Sequence, residues 1–597
     1  MILNILKERF ATALQTLAGD THSDSALSYL EMIRPSQDPK FGDFQANMAM
    51  SLAKQLGKPP REIAQRIVEQ LNIGDICELP EIAGPGFINL RLNNEFIESL
   101  LQQAIADEER LGIPTIDSAK RKTYLVDYSS PNVAKPMHVG HIRSTVIGNA
   151  LTRMLQFQGH RVITDNHLGD WGTQFGMIIF GYKNYLDADT YQKNPVEELS
   201  RLYRLVRQQM DETADGRQQT VADVNAAVLQ ETAKLHAGDA ENLKIWNEVL
   251  PHSQDEINRI YQRLRISFDH TLGESFYQPM LADVVEDLLQ RKIAVETEGA
   301  VGIFFKGEEV PMLIRKSDGA FLYGTTDLAT VRYRLDTFKP DAILYVVDFR
   351  QSQHFDNLFK AVRLQGIDDV ELAHVKFGTV LGEDGKPFKT RSGDTVGLNA
   401  LLDEAERRAY EIVKENDKNE TSESALLETA WRDTARRIGI GAIIYADLSQ
   451  NRESDYVFSY DKMLAMTGNT ATYMQYAFAR VRSIFAKGNI DVAKLRQSAS
   501  VSPLLFVAVS HPAERALALE LLKFGEAIDW SLRDYRPNML TAYLFELSNR
   551  YSVFFEQCPV LKAEEGVRTS RLLFCDLTAR TLQKGLELLG IETVERM

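Results

Sequence analysis

Apolar positions at helical spacing open the chain. Ile2, Leu3, Leu6, Phe10, Ala13, Leu14 and Leu17 fall on one face, the stripe that an amphipathic helix buries. The pattern extends a second helix over Asp43 to Leu56, and Pro60, a favourable first-turn residue, starts a third. The turn pair Pro85-Gly86 precedes Phe87-Ile88-Asn89-Leu90-Arg91-Leu92, whose alternation predicts a strand. A helix from Asn94 to Glu109 then closes a small α/β module over residues 1–112.

From about residue 120 the pattern becomes strand, loop, helix. Tyr124 to Tyr128 reads as a strand, and Ile142, Val146, Ile147, Ala150, Leu151, Met154 and Leu155 share one helical face. Arg161 to Thr164 reads as the next strand, completing a βαβ unit of a parallel, doubly wound sheet. Residues from about 180 to 300 are polar and helical in pattern. Strand character returns at Ala342 to Asp348 and at Val375 to Val380. The expectation is an α/β, Rossmann-like catalytic domain over 113–455, split by a helical insertion. Val413 to Ser424 reads as a polar loop. Helical patterns then fill 456–597 with no convincing strand, so the last domain is expected to be all-α.

Composition bounds the classes. At 597 residues with 44% apolar and 25% charged positions, three such domains can each bury a core. No run of eighteen apolar residues occurs, so no membrane span is expected, and the N-terminus lacks a signal-peptide layout. Cys77, Cys558 and Cys575 are too few and too scattered for a disulfide framework or a metal site, which suits a reducing cytoplasm. The net charge of −15 lowers the expectation of a nucleic-acid partner without excluding one, because binding depends on a local basic patch.

The candidate chemistry lies in two distant segments. In Pro131-Asn132-Val133-Ala134-Lys135-Pro136-Met137-His138-Val139-Gly140-His141, two histidines stand at i and i+3 where a strand runs into a helix. Gly140 allows close approach of a ligand to the backbone. The helix N-terminus presents unpaired N–H groups, and imidazoles there can stabilise charge developing on a phosphate. A metal pair is the rival reading, but no third ligand follows at useful spacing. In Gly382-Glu383-Asp384-Gly385-Lys386-Pro387-Phe388-Lys389-Thr390-Arg391-Ser392-Gly393, the cations Lys386, Lys389 and Arg391 sit on a Gly-bearing loop. Such a loop is either a solvated turn or a clamp on a triphosphate.

Together the segments resemble the HIGH-type and KMSKS-type halves of a class I aminoacyl-tRNA synthetase, and nearly the whole chain resembles the bacterial arginyl-tRNA synthetases. The most specific stretches are Asp127 to Asn132, His167 to Gly176, Leu322 to Ala329 and Val347 to Phe355. Ser392 stands where the second KMSKS lysine is expected. That departure is common in the family, where an upstream cation is thought to substitute; Lys135 and Lys386 both remain open for the role.

The resemblance implies a two-step reaction: ATP-dependent activation of L-arginine, then transfer to the 3′ end of tRNA(Arg). It implies ATP contacts at His138, Gly140, His141, Lys386, Lys389 and Arg391, with His138, His141, Lys389 and either Lys135 or Lys386 catalytic, and Mg²⁺ accompanying ATP. Tyr323 and Asp327, one helical turn apart, would hold the guanidinium, a planar set of donors that calls for oxygen acceptors. Asp127, Ser130, Asn132 and Gln351 would hold the ammonium and carboxylate end. His167, Asp170, Trp171 and Gln174 either pack or line the pocket floor or the tRNA entrance.

The N-terminal module resembles the domain that meets the tRNA corner, with Phe87 and Asn89 contacting a D-loop base. The last domain resembles the anticodon-binding domain, with Tyr473, Tyr476 and Arg480 as candidate RNA contacts beside a core reading of the same aromatics. A cytoplasmic monomer that needs bound tRNA for activation is the family expectation. The rivals are a cysteinyl-type synthetase, a short nucleotidyltransferase and a non-catalytic RNA-binding paralogue. The missing zinc ligands, the chain length and the intact His138, His141 and Lys389 weigh against them in turn.

Overall fold

The computed structural model describes residues 2–18, 28–211, 218–388, 396–416, 425–501 and 507–597. The N-terminal module is a four-stranded antiparallel sheet of β1 (Ile33–Pro35), β2 (Phe44–Ala46), β3 (Glu81–Ala83) and β4 (Phe87–Leu90), in the order β1-β2-β4-β3. Helices Ile2–Ala18, Met48–Leu56, Pro60–Gln70 and Asn94–Ala106 accompany it. The expected helix over Asp43 to Leu56 is therefore half wrong: it begins only at Met48. Phe44 and Ala46 point inward on alternate positions, a strand period that merges into the helical one after Asn47. Asp43 fixes the extended entry, since its carboxylate accepts from the Leu92 N–H at 2.7 Å.

The central sheet begins with β5 (Thr123–Asp127) and β6 (Arg161–Asp165), joined by the helix Val139–Gln158. The insertion follows as helices from Thr173–Tyr185 to Leu281–Gln290. It then forms an antiparallel sheet of β7 (Ala294–Thr297), β8 (Ala300–Ile303) and β9 (Met312–Arg315), which the helical expectation missed. β7 exposes all but its first residue, so it carries little alternation to read. The parallel sheet resumes with β10 (Ala342–Tyr345) and β11 (Glu371–His374), in the order β11-β10-β5-β6. The fourth strand lies before the expected Val375 to Val380. Gly378 passes so close to Ser454 that an added Cβ would lie 2.7 Å from its backbone, and only the short β12 (Val380–Leu381) forms next.

β12 pairs in parallel with β13 (Tyr456–Val457), a strand in a region expected to hold none. The remaining C-terminal elements are helices, including Ala471–Lys487, Pro512–Leu521, Asn538–Gln557 and Glu565–Leu588. The helix after Gly397 runs through Asn416, four residues into the expected polar loop; residues 417–424 lie outside the described residues. The N-terminal module docks on the helical domain: Arg580 donates to the Ile105 carbonyl, and the Leu3 N–H donates to Glu526. Among the described residues no helix is long and apolar enough to cross a membrane.

Candidate active site

The chain leaves β5 through two successive residues in the left-handed region, Ser129 (φ +72°) and Ser130 (φ +45°). Non-glycine residues resist this conformation, so the surroundings must over-determine it. They do: the Ser129 N–H donates to Ser144 Oγ, its hydroxyl meets Thr145 and Tyr261, and the Ser130 N–H donates to Asn166. The Ser130 hydroxyl donates to Asp127 Oδ1 at 2.8 Å, while Arg334 takes Oδ2 at 2.6 Å. Arg334 has no exposed surface and also grips Asp165 at 2.8 Å. Asp127 is thus anchored inside the protein on both oxygens.

The segment then pairs with the loop after β6. The Val133 N–H donates to the Gly169 carbonyl, the Gly169 N–H to that of Pro131, and Asn132 Oδ1 accepts from the Ala134 N–H. Gly169 needs to be small, because an added Cβ would sit 3.1 Å from the Asn132 amide nitrogen.

His138 caps the Val139–Gln158 helix. Its Nδ1 accepts from the Gly140 N–H at 3.1 Å, and His141 Nδ1 reaches back to the His138 N–H at 3.0 Å, a histidine version of the capping box. The rings lie 3.9 Å apart. Because both Nδ1 atoms accept, the ring proton of each neutral imidazole resides on Nε2. Burial, together with the neighbouring His138, pushes His141 down to about 3. Burial and the cations Lys135 and Arg350 also lower His138. The pair therefore offers two neutral Nε2–H donors. Arg350 is a nearby cation that the sequence reading missed; it is fixed by two hydrogen bonds to Asp348.

The second motif returns to this place. Lys389 and Arg391 lie outside the described residues, but the chain on both sides is positioned. Upstream, Phe388 stacks on Phe458 at 4.8 Å, and the turn at Gly385 (φ +71°) presents Lys386 to a cleft of about 800 Å³ that Arg408 and Tyr460 also line. Downstream, the Val139 N–H donates to the Val396 carbonyl, the Leu398 N–H donates to the Met137 carbonyl, and His138 pairs with Gly397. The far root of the cationic loop is thus hydrogen-bonded to the backbone of the histidine motif.

Tyr323 and Asp327 lie one turn apart at the start of the helix Tyr323–Phe338, as the spacing predicts. Tyr323 is 65% exposed, and the Asp327 carboxylate meets His354 Nε2 at 2.5 Å. Close enough to feel the charge of Asp327 is Glu274, which no sequence motif marked. Burial, with Asp170 and Asp327 adding like charge, pushes its carboxyl up to about 8. Asp170 is raised by burial too, and it accepts from the Ser275 N–H and hydroxyl at the start of the same short helix. Three carboxyl groups share a partly desolvated space in which only Asp327 meets an imidazole, that of His354, among the described residues, and the set suits a cationic ligand. Tyr345, at the end of β10, feels both Asp127 and Asp327, so this acidic pocket adjoins the Asp127–Asn132 segment. Gln351 is exposed at the N-cap of the Ser352–Leu364 helix.

The other marked residues lie partly beside this pocket, where the Trp171 backbone bonds Glu274, and partly in the outer domains. Trp171 packs, stacked 5.6 Å from His236 and edge-on to Trp246. His167 lies beside Tyr277, and Gln174 is half-buried on the Thr173–Tyr185 helix. In the N-terminal module Phe87 is half-buried, while Asn89 is only 5% exposed and accepts from Gln45 Nε2 at 2.9 Å. Tyr473 is partly buried and donates to Asn549, Arg480 lies over the Phe555 ring at 4.4 Å, and Tyr476 is exposed.

Three family models match the chain: the catalytic domain of class I tRNA synthetases (R) over residues 100–460, the DALR anticodon-binding domain over 474–597, and the arginyl-tRNA synthetase N-terminal domain over 4–92. The chain is 46% identical to an arginine–tRNA ligase of Rhodopirellula baltica, over 100% of this chain and 99% of the relative. It is 48% identical to one of Nostoc punctiforme, over 94% of each. Among solved structures, the arginyl-tRNA synthetase of Thermus thermophilus superposes with a TM-score of 0.81 at 26% identity, covering 100% of both chains. That of Plasmodium falciparum gives 0.81 at 28% identity, covering 100% of this chain and 99% of the other.

Proposed function

We propose how the residues of this chain divide the work, from the premise that it belongs to the class I arginyl-tRNA synthetase family and is an arginine–tRNA ligase that uses ATP. The carrying observation is the backbone pairing of Met137 to Val139 with Val396 to Leu398, which supports one triphosphate site shared by the two motifs. His138 and His141 donate through Nε2 to the α-phosphate as the arginine carboxylate oxygen attacks phosphorus. The bond to pyrophosphate breaks, giving arginyl-adenylate. Neutral donors suit this step because they stabilise charge developing on the phosphate oxygens without holding the ground state as tightly as cations would.

Lys389 and Arg391 clamp the departing pyrophosphate. Of the two cations open as a substitute for the missing lysine, Lys135 is favoured, since its charge is felt at His138. Lys386 faces the cleft beside Phe458 and serves the loop instead. Mg²⁺ bound together with ATP would supply neutralising charge to the phosphates; among the described residues no group of three His, Cys, Asp or Glu side chains is gathered to hold a metal.

Asp327 and Tyr323 hold the guanidinium, and Glu274 joins them. The raised Glu274 carboxyl marks a group lacking the cation it is built beside. Asn132, Ser130 and Gln351 meet the other end of arginine, with Asp127 steadied by Arg334. In the second step the terminal ribose hydroxyl of tRNA(Arg) attacks the activated carbonyl, and AMP leaves. Phe87 in the N-terminal module (1–112) meets the tRNA corner, while the buried Asn89, bonded to Gln45, supports the strand from beneath rather than reading a base itself. Tyr473, Tyr476 and Arg480 in the helical domain (456–597) meet the anticodon arm. The protein works as a cytoplasmic monomer, in keeping with three free, buried cysteines.

The test is arginine-dependent ATP–pyrophosphate exchange with and without cognate tRNA, beside lysine and cysteine. Exchange confined to arginine is expected. Exchange with lysine but not arginine overturns the pocket assignment, and RNA binding without any exchange overturns the catalytic one.

A further inference from the structure

We propose that His354 is a specificity-determining positioning residue that orients Asp327 for a planar guanidinium; the proposal rests on the reading that Asp327 binds that group. His354 stands in the first turn of the helix Ser352–Leu364, which Gln351 caps, beside the helix that carries Tyr323 and Asp327. One imidazole touches both guanidinium-binding side chains. Its Nε2 lies 2.5 Å from Asp327 Oδ2, and its ring centre lies 4.7 Å from that of Tyr323 at 60°. The imidazole is itself held from behind by Phe355, 5.4 Å away and edge-on.

The chemistry of this arrangement separates arginine from lysine. An aspartate on a helix can turn about its last torsion, and a turning carboxylate still attracts a point charge such as ammonium. Guanidinium recognition needs more, because its N–H groups lie in a fixed plane and reward a carboxylate held in matching orientation. The bond from His354 takes one oxygen of Asp327 and so fixes the plane in which the other is offered. The same imidazole backs the Tyr323 ring, which is otherwise largely open to solvent. His354 thus sets two walls of the pocket without itself contacting the ligand.

The test is steady-state ATP–pyrophosphate exchange with cognate tRNA present, on His354→Ala, His354→Gln and His354→Phe, with Asp327→Ala alongside. Agmatine, a guanidinium without the carboxylate, and 1,5-diaminopentane, an ammonium counterpart, serve as competitive inhibitors. His354→Ala should raise the arginine KM about tenfold, the size of one lost hydrogen bond to a charged group, with kcat nearly unchanged. Agmatine inhibition should weaken in step while diaminopentane inhibition does not. His354→Gln, which keeps an N–H donor, should recover part of the loss, whereas His354→Phe, which keeps only the packing on Tyr323, should not. A wild-type arginine KM in His354→Ala, or equal recovery by Phe and Gln, overturns the proposal. A large effect of Asp327→Ala beside a silent His354→Ala sinks this inference alone; a silent Asp327→Ala sinks the guanidinium assignment beneath it. Melting temperatures of all four variants separate these outcomes from loss of fold.

Discussion

Arg515 of the helical domain closes on Asp43 of the N-terminal module with two parallel hydrogen bonds of 2.8 Å. The same guanidinium donates to the Leu92 carbonyl, and Asp43 accepts from the Leu92 N–H. The contact therefore grips the end of the β4 segment that bears Phe87 and Asn89. The two ends of the chain proposed to hold tRNA are joined directly, beside their links through the catalytic domain.

Loss of this clamp should loosen tRNA binding and spare arginine recognition. Arg515→Ala is expected to raise the KM for tRNA about three- to tenfold, on the scale of a partly buried bidentate pair, with the arginine KM unchanged. Arg515→Lys should recover little, since a single ammonium cannot make both bonds. Aminoacylation kinetics with each substrate varied in turn read the split directly.

Arginine binding should be linked to a proton on Glu274. The free site holds this carboxyl at about 8 through burial and the nearby Asp170 and Asp327, so at pH 7 it is mostly protonated. An arriving guanidinium favours the carboxylate, and the proton leaves. Arginine affinity should therefore rise with pH, by up to tenfold per unit, and level off above about 8. Calorimetry in buffers of different ionisation enthalpy should show close to one proton released at pH 7 and none in Glu274→Gln, whose affinity should be lower and flat with pH.

What could be read beforehand depended on how local each signal was. His138, Gly140 and His141 form a motif within four positions, so their spacing alone placed them on a helix start. Tyr323 and Asp327 were similarly legible as a one-turn pair. Glu274 was not, because it enters from the insertion on a four-residue helix whose neighbours carry no pattern. Asp165 and Arg334 were invisible for another reason: their meaning lies in an ion pair between distant strands and helices, which no periodicity encodes. Gly148 reads as an ordinary helical position, yet an added Cβ there would fall 2.2 Å from the Tyr128 ring. Strand β2 was lost inside an apolar stretch that fits both periods.

The histidine pair should work unprotonated across the neutral range. His141 is held near 3 and His138 below its usual value, so neither should impose an acid limb near pH 6.5 on kcat/KM for ATP. The sign for stability follows from the same shift. The unfolded chain takes up protons on these residues below about 6.5 while the folded one does not, so their contribution to stability falls as pH drops from there toward 3. His138→Ala should cut the exchange kcat about a hundredfold or more, as removal of a transition-state donor does. A limb at pH 6.5 that disappears in that variant would contradict the neutral-donor assignment.

Arg334 carries the heaviest structural load beneath the site. It is fully buried between Asp127 and Asp165, and those carboxylates hold its charge well above the ordinary range despite the burial. Arg334→Met keeps much of the volume but strands two negative groups in the sheet core. Breaking a buried pair from one side costs about 3–5 kcal/mol, and here the loss should itself depend on pH. Without the guanidinium, two buried carboxylates are left with no counter-charge, and burial disfavours charged carboxylates, so the cost is greatest where both are ionised. Denaturant titrations should accordingly show Arg334→Met nearer wild type at pH 5 than at pH 8. Adding Asp165→Asn should return part of the difference, because it removes one of the stranded charges. Equal destabilisation at both pH values would mean that shape, not charge, is what Arg334 supplies between the strands.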